Sequence, residues 1–182
     1  GVVGHSVRGA SHNRAGLPNQ DAIYWLPVSQ KGPPLILVVS DGHGSSKSFR
    51  SDVGSRLAVE RTAWLIQDLL DGQPDRDNLS AIKRTAEELL PREIVRRWQI
   101  AVPAHLKKNP FTEEELATVT EKRGEGGRRQ ILGNPRLAYG ATLLAVLAAQ
   151  DFFLFLQLGD GDILTVMEDG EPVFLDAQGN TW

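Results

Sequence analysis

The chain has 182 residues, of which 41% are hydrophobic, and its formal net charge at pH 7 is −3. This length allows one domain with a substantial core, and the mild charge gives no reason to expect nucleic acid or an anionic membrane as a partner. The chain contains no cysteine, which excludes thiolate metal sites, thiol nucleophiles and disulfides and is typical of a reducing compartment.

The hydropathy pattern predicts neither a membrane-spanning segment nor a signal peptide. Gln150 and Asp151 interrupt the most apolar region, residues 138–158, so it falls short of the roughly 18 consecutive apolar residues that a span requires. Residues 1–12 have no apolar core long enough for a signal peptide. We therefore expect a cytoplasmic protein, or a cytoplasmic domain, without membrane contact.

The first third of the chain predicts two strands that pair with each other. Composition indicates a short strand at 2–8, a loop at 8–20, and strands at 21–28 and 35–39. Because the turn between the last two strands is short, they should pair antiparallel. That pairing carries Asp21, at the start of one strand, toward Asp41, just beyond the end of the other.

The middle of the chain predicts helices, since its apolar residues recur at helical spacing. Serines after Gly44 offer N-caps, Gly72 ends one helix, and Pro91 suits the start of another. Thr112 and Glu115 have the spacing of a capping box. The predicted helices cover roughly 45–70, 79–90, 91–109 and a short segment from 112.

Residues 120–135 have many glycines and basic side chains, a composition that predicts a long, exposed, mobile loop. Arg128 and Arg129 could contact a phosphorylated partner, although a solvated run of charges explains them more simply. The glycines do not form a phosphate-binding loop, because the Gly-Lys-Ser/Thr ending is missing.

The last third of the chain predicts a β-meander. Apolar runs separated by turn residues indicate strands near 139–148, 152–158, 163–167 and 173–175. Asp169-Gly170 is a typical hairpin turn between the last two.

Turns that carry acids lie at strand ends in three places: Asn19-Gln20-Asp21, Asp41-Gly42-His43 and Gly159-Asp160-Gly161-Asp162. If the strands align, their carboxylates make an oxygen site for Mg²⁺ or Mn²⁺. Such ions polarise phosphoryl oxygens and activate water, which favours metal-assisted hydrolysis. In the simpler alternative Asp41 caps the following helix, His43 is solvated, and Asp160 hydrogen-bonds within its own turn.

Three blocks of sequence carry a resemblance to one protein family: GASHNRAGLPNQDA, VVSDGHGSSKSFRSDVGSRLAV, and YGATLLAVL followed by LFLQLGDGDIL. In this order and spacing they resemble the metal-dependent protein phosphatases of the PP2C type, closest to a bacterial subgroup, as far as about Leu164. The resemblance implies an α+β fold, an α-β-β-α sandwich of two antiparallel sheets with helices outside. It also implies hydrolysis of phosphoserine and phosphothreonine by a water that bridges metal ions.

The resemblance assigns roles to individual residues. Asp41 would bridge two Mg²⁺ or Mn²⁺ ions, the Gly42 carbonyl would bind one of them, and His43 would be the general acid. Asp21 matches an acid that holds metal-bound water, and Asp160 matches the acid of a third, weaker metal site.

The chain departs from the family pattern near its N-terminus. Gly16 stands where a phosphate-binding arginine is usual, so Arg14 or His12 would have to substitute. Gln20 stands where a metal-ligating glutamate is common, so one ion should bind more weakly.

The resemblance covers the N-terminal two thirds of such a domain, because no later Asp-Gly or Asp-Asn motif matches. We therefore expect residues 1–182 to be a single, C-terminally incomplete domain whose exposed sheet edges could favour a dimer. One hypothesis is a phosphatase that acts on a phosphorylated protein and works beside a Ser/Thr kinase. The other is an inactive PP2C-like domain that binds a phosphoprotein or a kinase.

Overall fold

The computed structural model describes residues 1–72, 78–166, 170 and 172–174. The helices are α1 (Ala10–Ala15), α2 (Ser51–Asp71), α3 (Leu79–Glu88), α4 (Leu90–Lys108) and α5 (Glu113–Gly133), with a 3₁₀-helix η1 (Pro135–Tyr139). The strands are β1 (Ala22–Leu26), β2 (Leu35–Ser40), β3 (Leu143–Ala148), β4 (Phe153–Leu158), β5 (Leu164–Val166) and β6 (Pro172–Phe174). The fold class is α+β, as the sequence predicts.

Four strands form one sheet in the order β1-β2-β3-β4, and every neighbouring pair is antiparallel. The predicted pairing of the first two strands is correct, with Ala22 opposite Ser40. The start of β1 and the ends of β2 and β4 therefore lie at the same edge of this sheet. Strands β5 and β6 form a separate antiparallel pair, and Asp169 of the predicted turn between them lies outside the described residues.

The main core lies between one face of the four-stranded sheet and the helices. Alternate residues of β2 point toward the helices, and Ile36 and Val38 are fully buried while Val39 is 44% exposed. Helix α2 contacts β1, β2, β3 and α4, and its Ala63 and Ile66 are completely buried. This period-two burial is the reason that the strands form a sheet with helices on one face.

The prediction of a mobile loop at residues 120–135 is wrong, because α5 continues to Gly133. Its capping box at Thr112 forms as predicted, and Val119 and Ile131 are fully buried in a small core of their own. Burial of this apolar stripe outweighs the low helix propensity of the glycines. The chain kinks at Gly124, whose φ of 68° and ψ of −179° are not helical, so α5 consists of two helical segments on either side of this residue.

Three other predictions near the N-terminus need correction. Residues 2–8 form no strand, and the Val2 amide donates a single hydrogen bond to the Gln30 carbonyl (3.1 Å). The segment 8–20 contains α1, which ends at Gly16 in the left-handed conformation that suits glycine. Helix α2 starts six residues after Ser45, because the Ser48 hydroxyl bonds the Leu137 carbonyl and does not cap the helix.

The helix ends follow the sequence signals more closely. Helix α2 ends at Asp71 before Gly72, and α4 carries Pro91 in its first turn and ends before Asn109. Within the described ranges, no helix is both long and apolar enough to cross a membrane.

Candidate metal centre

Asp21, Asp41 and Asp160 line one cavity of about 280 Å³ at the edge of the four-stranded sheet. Asp21 precedes β1, Asp41 follows β2, and Asp160 follows β4. The antiparallel order of the strands brings these three positions to the same edge, although up to 139 residues separate Asp21 from Asp160 in the chain. The sheet topology, and no local motif, creates the acidic cavity.

The acids influence one another electrostatically. Partial burial raises the pKa of the Asp41 carboxyl, and the neighbouring Asp21 carboxyl raises it further by charge repulsion and by a hydrogen bond. The charge of Asp160 acts in the same direction, and only the charge of His43 opposes it. The surroundings of Asp41 therefore disfavour its ionised form.

The turn that carries Asp41 is fixed to the start of β3. The Asp41 amide donates to the Thr142 hydroxyl (3.2 Å), and the Thr142 amide donates to the Asp41 carbonyl (2.8 Å). The Ser40 hydroxyl donates to the Thr142 carbonyl (2.5 Å), and Gly42 forms a β-bridge with Ala141. These bonds hold the backbone of the acidic turn before any ligand binds.

Glycine is required at position 42 because the backbone of another segment passes close by. A Cβ atom there would lie 2.5 Å from the Gln20 carbonyl oxygen and 2.9 Å from the Ser51 carbonyl oxygen. Any side chain would therefore push the turn away from the residue that precedes Asp21. The close approach keeps Asp21 and Asp41 together.

The turn that carries Asp160 is held by a side chain of β4. The Gln157 amide donates to the carbonyls of Gly159 (3.1 Å) and Gly161 (2.9 Å). Both glycines have positive φ, 101° and 124°, a conformation that other residues rarely adopt. This turn places Asp160 beside the cavity.

Gln20 lies behind the Asp41 turn and is only 5% exposed. Its backbone carbonyl accepts a hydrogen bond from the Ser55 hydroxyl (2.6 Å). Its side-chain oxygen Oε1 is buried and has no hydrogen-bond partner within the described part of the chain, and it faces Gly44 at 3.8 Å from an ideal Cβ position. A buried oxygen without a partner is unusual in a folded protein, and Gln20 is not among the residues that line the cavity of the three aspartates.

His43 is exposed at the end of the same turn, and its amide donates to the Gly140 carbonyl (3.0 Å). Its imidazole can therefore meet a substrate from solvent while its backbone is fixed. The role of the Gly42 carbonyl as a ligand stays a prediction.

The acidic side chains at this cavity do not surround a metal ion by themselves. Over residues 1–72 and 78–166 and the few described beyond them, no three His, Asp or Glu side chains are near enough together to enclose an ion. Arg14 and His12 lie on α1, and neither lines the cavity that the three aspartates share. The site therefore offers carboxylates for a cation but no arginine among the residues that line it.

Sequence reasoning missed the residues that support this site, above all Thr142, Gly140 and Arg50. Thr142 and Gly140 belong to the segment YGATLLAVL, whose apolar residues predict a strand and whose polar Thr142 is the signal that could have indicated a contact. Arg50 is buried at the start of α2, and no sequence pattern around it indicates burial.

A family model described as protein phosphatase 2C matches residues 8–180. Comparison with curated proteins and with solved structures gave no match.

Proposed function

The chain belongs to the protein phosphatase 2C family, and from this premise we propose that it is a metal-dependent phosphatase of phosphoserine and phosphothreonine in proteins. The observation that carries the proposal is the convergence of Asp21, Asp41 and Asp160 on one cavity at the sheet edge. Acids from three separate turns meet there, and burial and repulsion raise the pKa of Asp41. A divalent cation would remove that repulsion.

The donor atoms at this cavity are oxygens, the ligand type that Mg²⁺ and Mn²⁺ prefer, although no three acids of the described residues enclose an ion by themselves. Asp41 and Asp21 would hold the ions, with Asp160 for a third and the Gln20 amide oxygen as a neutral donor. When bound, such ions supply Lewis-acid polarisation of a phosphoryl oxygen and lower the pKa of an attacking water. Because Gln20 has no charge, we expect weaker metal binding than a glutamate at this position would give.

His43 would supply the proton that the leaving group requires. Its imidazole is exposed beside Asp41, so a seryl or threonyl oxygen can approach it as the phosphorus–oxygen bond breaks. Loss of a general acid costs on the order of 10²–10⁴ in rate, and the loss is greatest for a poor leaving group such as an alkoxide.

A phosphorylated protein is the substrate class that suits this site. The cavity of about 280 Å³ is open at the sheet edge and can admit a phosphorylated side chain on an extended segment. A Ser/Thr kinase is the class of enzyme that would produce this substrate. The lack of cysteine in this chain favours a reducing compartment such as the cytoplasm.

The alternative function is a phosphoprotein-binding or kinase-binding domain without activity. The neutral Gln20 and the lack of an arginine among the residues that line the cavity favour it. Under this alternative, Mn²⁺ binding would be weak or undetectable, and no hydrolysis would occur.

Calorimetric titration with Mn²⁺ and hydrolysis of p-nitrophenyl phosphate together separate the two functions. We expect the wild-type chain to bind Mn²⁺ and to hydrolyse the ester until a chelator is added, and Asp41→Asn to lose both properties. The matched control is Asp151→Asn, since Asp151 is an exposed acid in the β3–β4 turn at the opposite edge of the sheet. Equal activity in Asp41→Asn and the wild type would rule out the phosphatase.

A further inference from the structure

Gly140 is in direct contact with the imidazole of His43. A Cβ atom at Gly140 would lie 2.7 Å from His43 Nδ1 and 3.4 Å from Cε1. The first of these distances is shorter than real Cβ atoms tolerate, so the imidazole occupies the space that a side chain at position 140 would fill. The backbone of Gly140 (φ −55°, ψ 133°) suits any residue. The need for glycine therefore comes from its close contacts, which are the His43 imidazole and, at 3.3 Å from the same Cβ position, the Ser48 hydroxyl oxygen.

The backbone around Gly140 is fixed on both sides. The Tyr139 side chain before it is completely buried, and a Cβ atom at Gly54 of α2 would overlap the Tyr139 carbonyl. After it, Ala141 forms the bridge with Gly42, and Thr142 bonds Asp41. Gly140 is therefore part of a rigid support, whereas the exposed His43 ring rests on it.

Arg50 holds the Tyr139 side of this support. It is 8% exposed, and its guanidinium donates to the Tyr139 hydroxyl (3.0 Å) and to both oxygens of Glu115 (2.7 Å each). It also donates to the carbonyls of Asn109 (2.5 Å) and Pro110 (2.8 Å). One side chain thus links the start of α2, the end of α4, the start of α5 and η1.

We infer that Gly140 is a positioning residue for His43: the lack of a side chain leaves the space in which the imidazole sits, and the cluster around Arg50 fixes the backbone beneath it. This inference rests on the proposed function, because it concerns the group that would donate the proton. It assigns a role to a residue that binds neither metal nor substrate.

The proton transfer gives this role a distinctive signature. As a water oxygen bonds to phosphorus and the bond between phosphorus and the seryl oxygen breaks, the imidazolium of His43 gives its proton to the seryl oxygen. Serine then leaves as an alcohol, the phosphoryl group leaves as inorganic phosphate, and a neutral imidazole is left. A p-nitrophenolate leaving group is a weak base and departs without a proton. Displacement of the imidazole should therefore slow hydrolysis of a phosphopeptide and spare p-nitrophenyl phosphate.

The test is Gly140→Ala, with Gly126→Ala as the matched control. A Cβ atom at Gly126, in α5, meets no atom within 4 Å. For Gly140→Ala we expect kcat on a phosphothreonine peptide to fall at least about tenfold, kcat on p-nitrophenyl phosphate to stay within about twofold, and Mn²⁺ affinity to be unchanged. Gly126→Ala should leave all three at the wild-type values.

A double variant makes the inference sharper. If Gly140 acts through His43, His43→Ala with Gly140→Ala should be no slower on the phosphopeptide than His43→Ala alone. Equal loss on both substrates, no loss on the peptide, or additive losses in the double variant would each overturn the inference.

A second readout separates this inference from the proposed function. In NMR spectra the ring resonances of His43 should shift in Gly140→Ala and stay in place in Gly126→Ala, even if the wild type hydrolyses neither substrate. Absence of hydrolysis in the wild type would refute the proposed function. Unchanged His43 resonances in a folded Gly140→Ala chain would refute the positioning role.

Discussion

Asp21 and Asp41 line the same cavity at one edge of the sheet, one just before β1 and the other just after β2. The pairing of Ala22 with Ser40 places the two acids opposite each other. Burial is the largest cause of the raised pKa of the Asp41 carboxyl, and the neighbouring Asp21 carboxyl is the next largest. The ionised form of Asp41 is therefore destabilised by its surroundings.

Removal of the charge at position 41 should stabilise the chain when no divalent cation is present. A raised folded pKa means that the native state holds the Asp41 proton more tightly than the unfolded state, so this group lowers stability once pH rises through that pKa. In chelator at about pH 7, we expect Asp41→Asn to unfold at a higher temperature than the wild type. Addition of Mn²⁺ should reverse the order, because only the wild type gains a ligand. A lower unfolding temperature for Asp41→Asn in chelator would contradict this explanation.

The charge at position 20 should control metal affinity. Gln20→Glu adds a carboxylate behind the Asp41 turn, and we expect it to tighten Mn²⁺ binding at least about tenfold in calorimetry. Gln20→Met, which keeps the volume and removes the oxygen, should weaken binding. If both variants bind Mn²⁺ as the wild type does, the Gln20 side-chain oxygen takes no part in metal binding.

The pair Arg50–Glu115 should contribute to stability in a pH-dependent manner. Burial alone would raise the pKa of the Glu115 carboxyl, but the hydrogen bonds from Arg50 and Thr112 outweigh it, and the pKa is lowered. A lowered folded pKa stabilises the native state above the unfolded pKa, and this contribution is lost as pH falls through the folded pKa.

We therefore expect Glu115→Gln to lower the free energy of unfolding by about 2 kcal/mol at neutral pH. In urea denaturation the difference from the wild type should shrink as the solution is acidified to about pH 3. Glu114→Gln, one residue earlier in the first turn of α5 and exposed, is the control and should change stability little. A difference that stays constant with pH would argue against a charge effect.

The correction of residues 120–135 from loop to helix predicts a packing effect. Ile131 is completely buried, whereas the neighbouring Leu132 is 52% exposed. Ile131→Ala should lower the free energy of unfolding by about 2–5 kcal/mol, and Leu132→Ala should change it by much less. Similar small effects from the two variants would show that this segment does not pack as a helix in solution.

The sequence by itself determined the class of the fold, the pairing of the first two strands and the three acidic turns. It could do so because these features follow from short-range patterns: alternation of buried residues, a short turn between two strands, and capping residues at helix ends. The capping box of Thr112 and the end of α2 before Gly72 were predictable for the same reason.

Only the tertiary structure decided that residues 120–133 form two helical segments that meet at Gly124, that Arg50 is buried, and that Gly140 supports His43. Arg50 and Glu115 are 65 residues apart, and the Gly140 carbonyl meets the His43 amide across a still longer separation. Such contacts gain their free energy from burial and hydrogen bonding between distant segments, which can outweigh local propensity. Local sequence patterns carry no record of those partners, because the contacts exist only after the chain has folded.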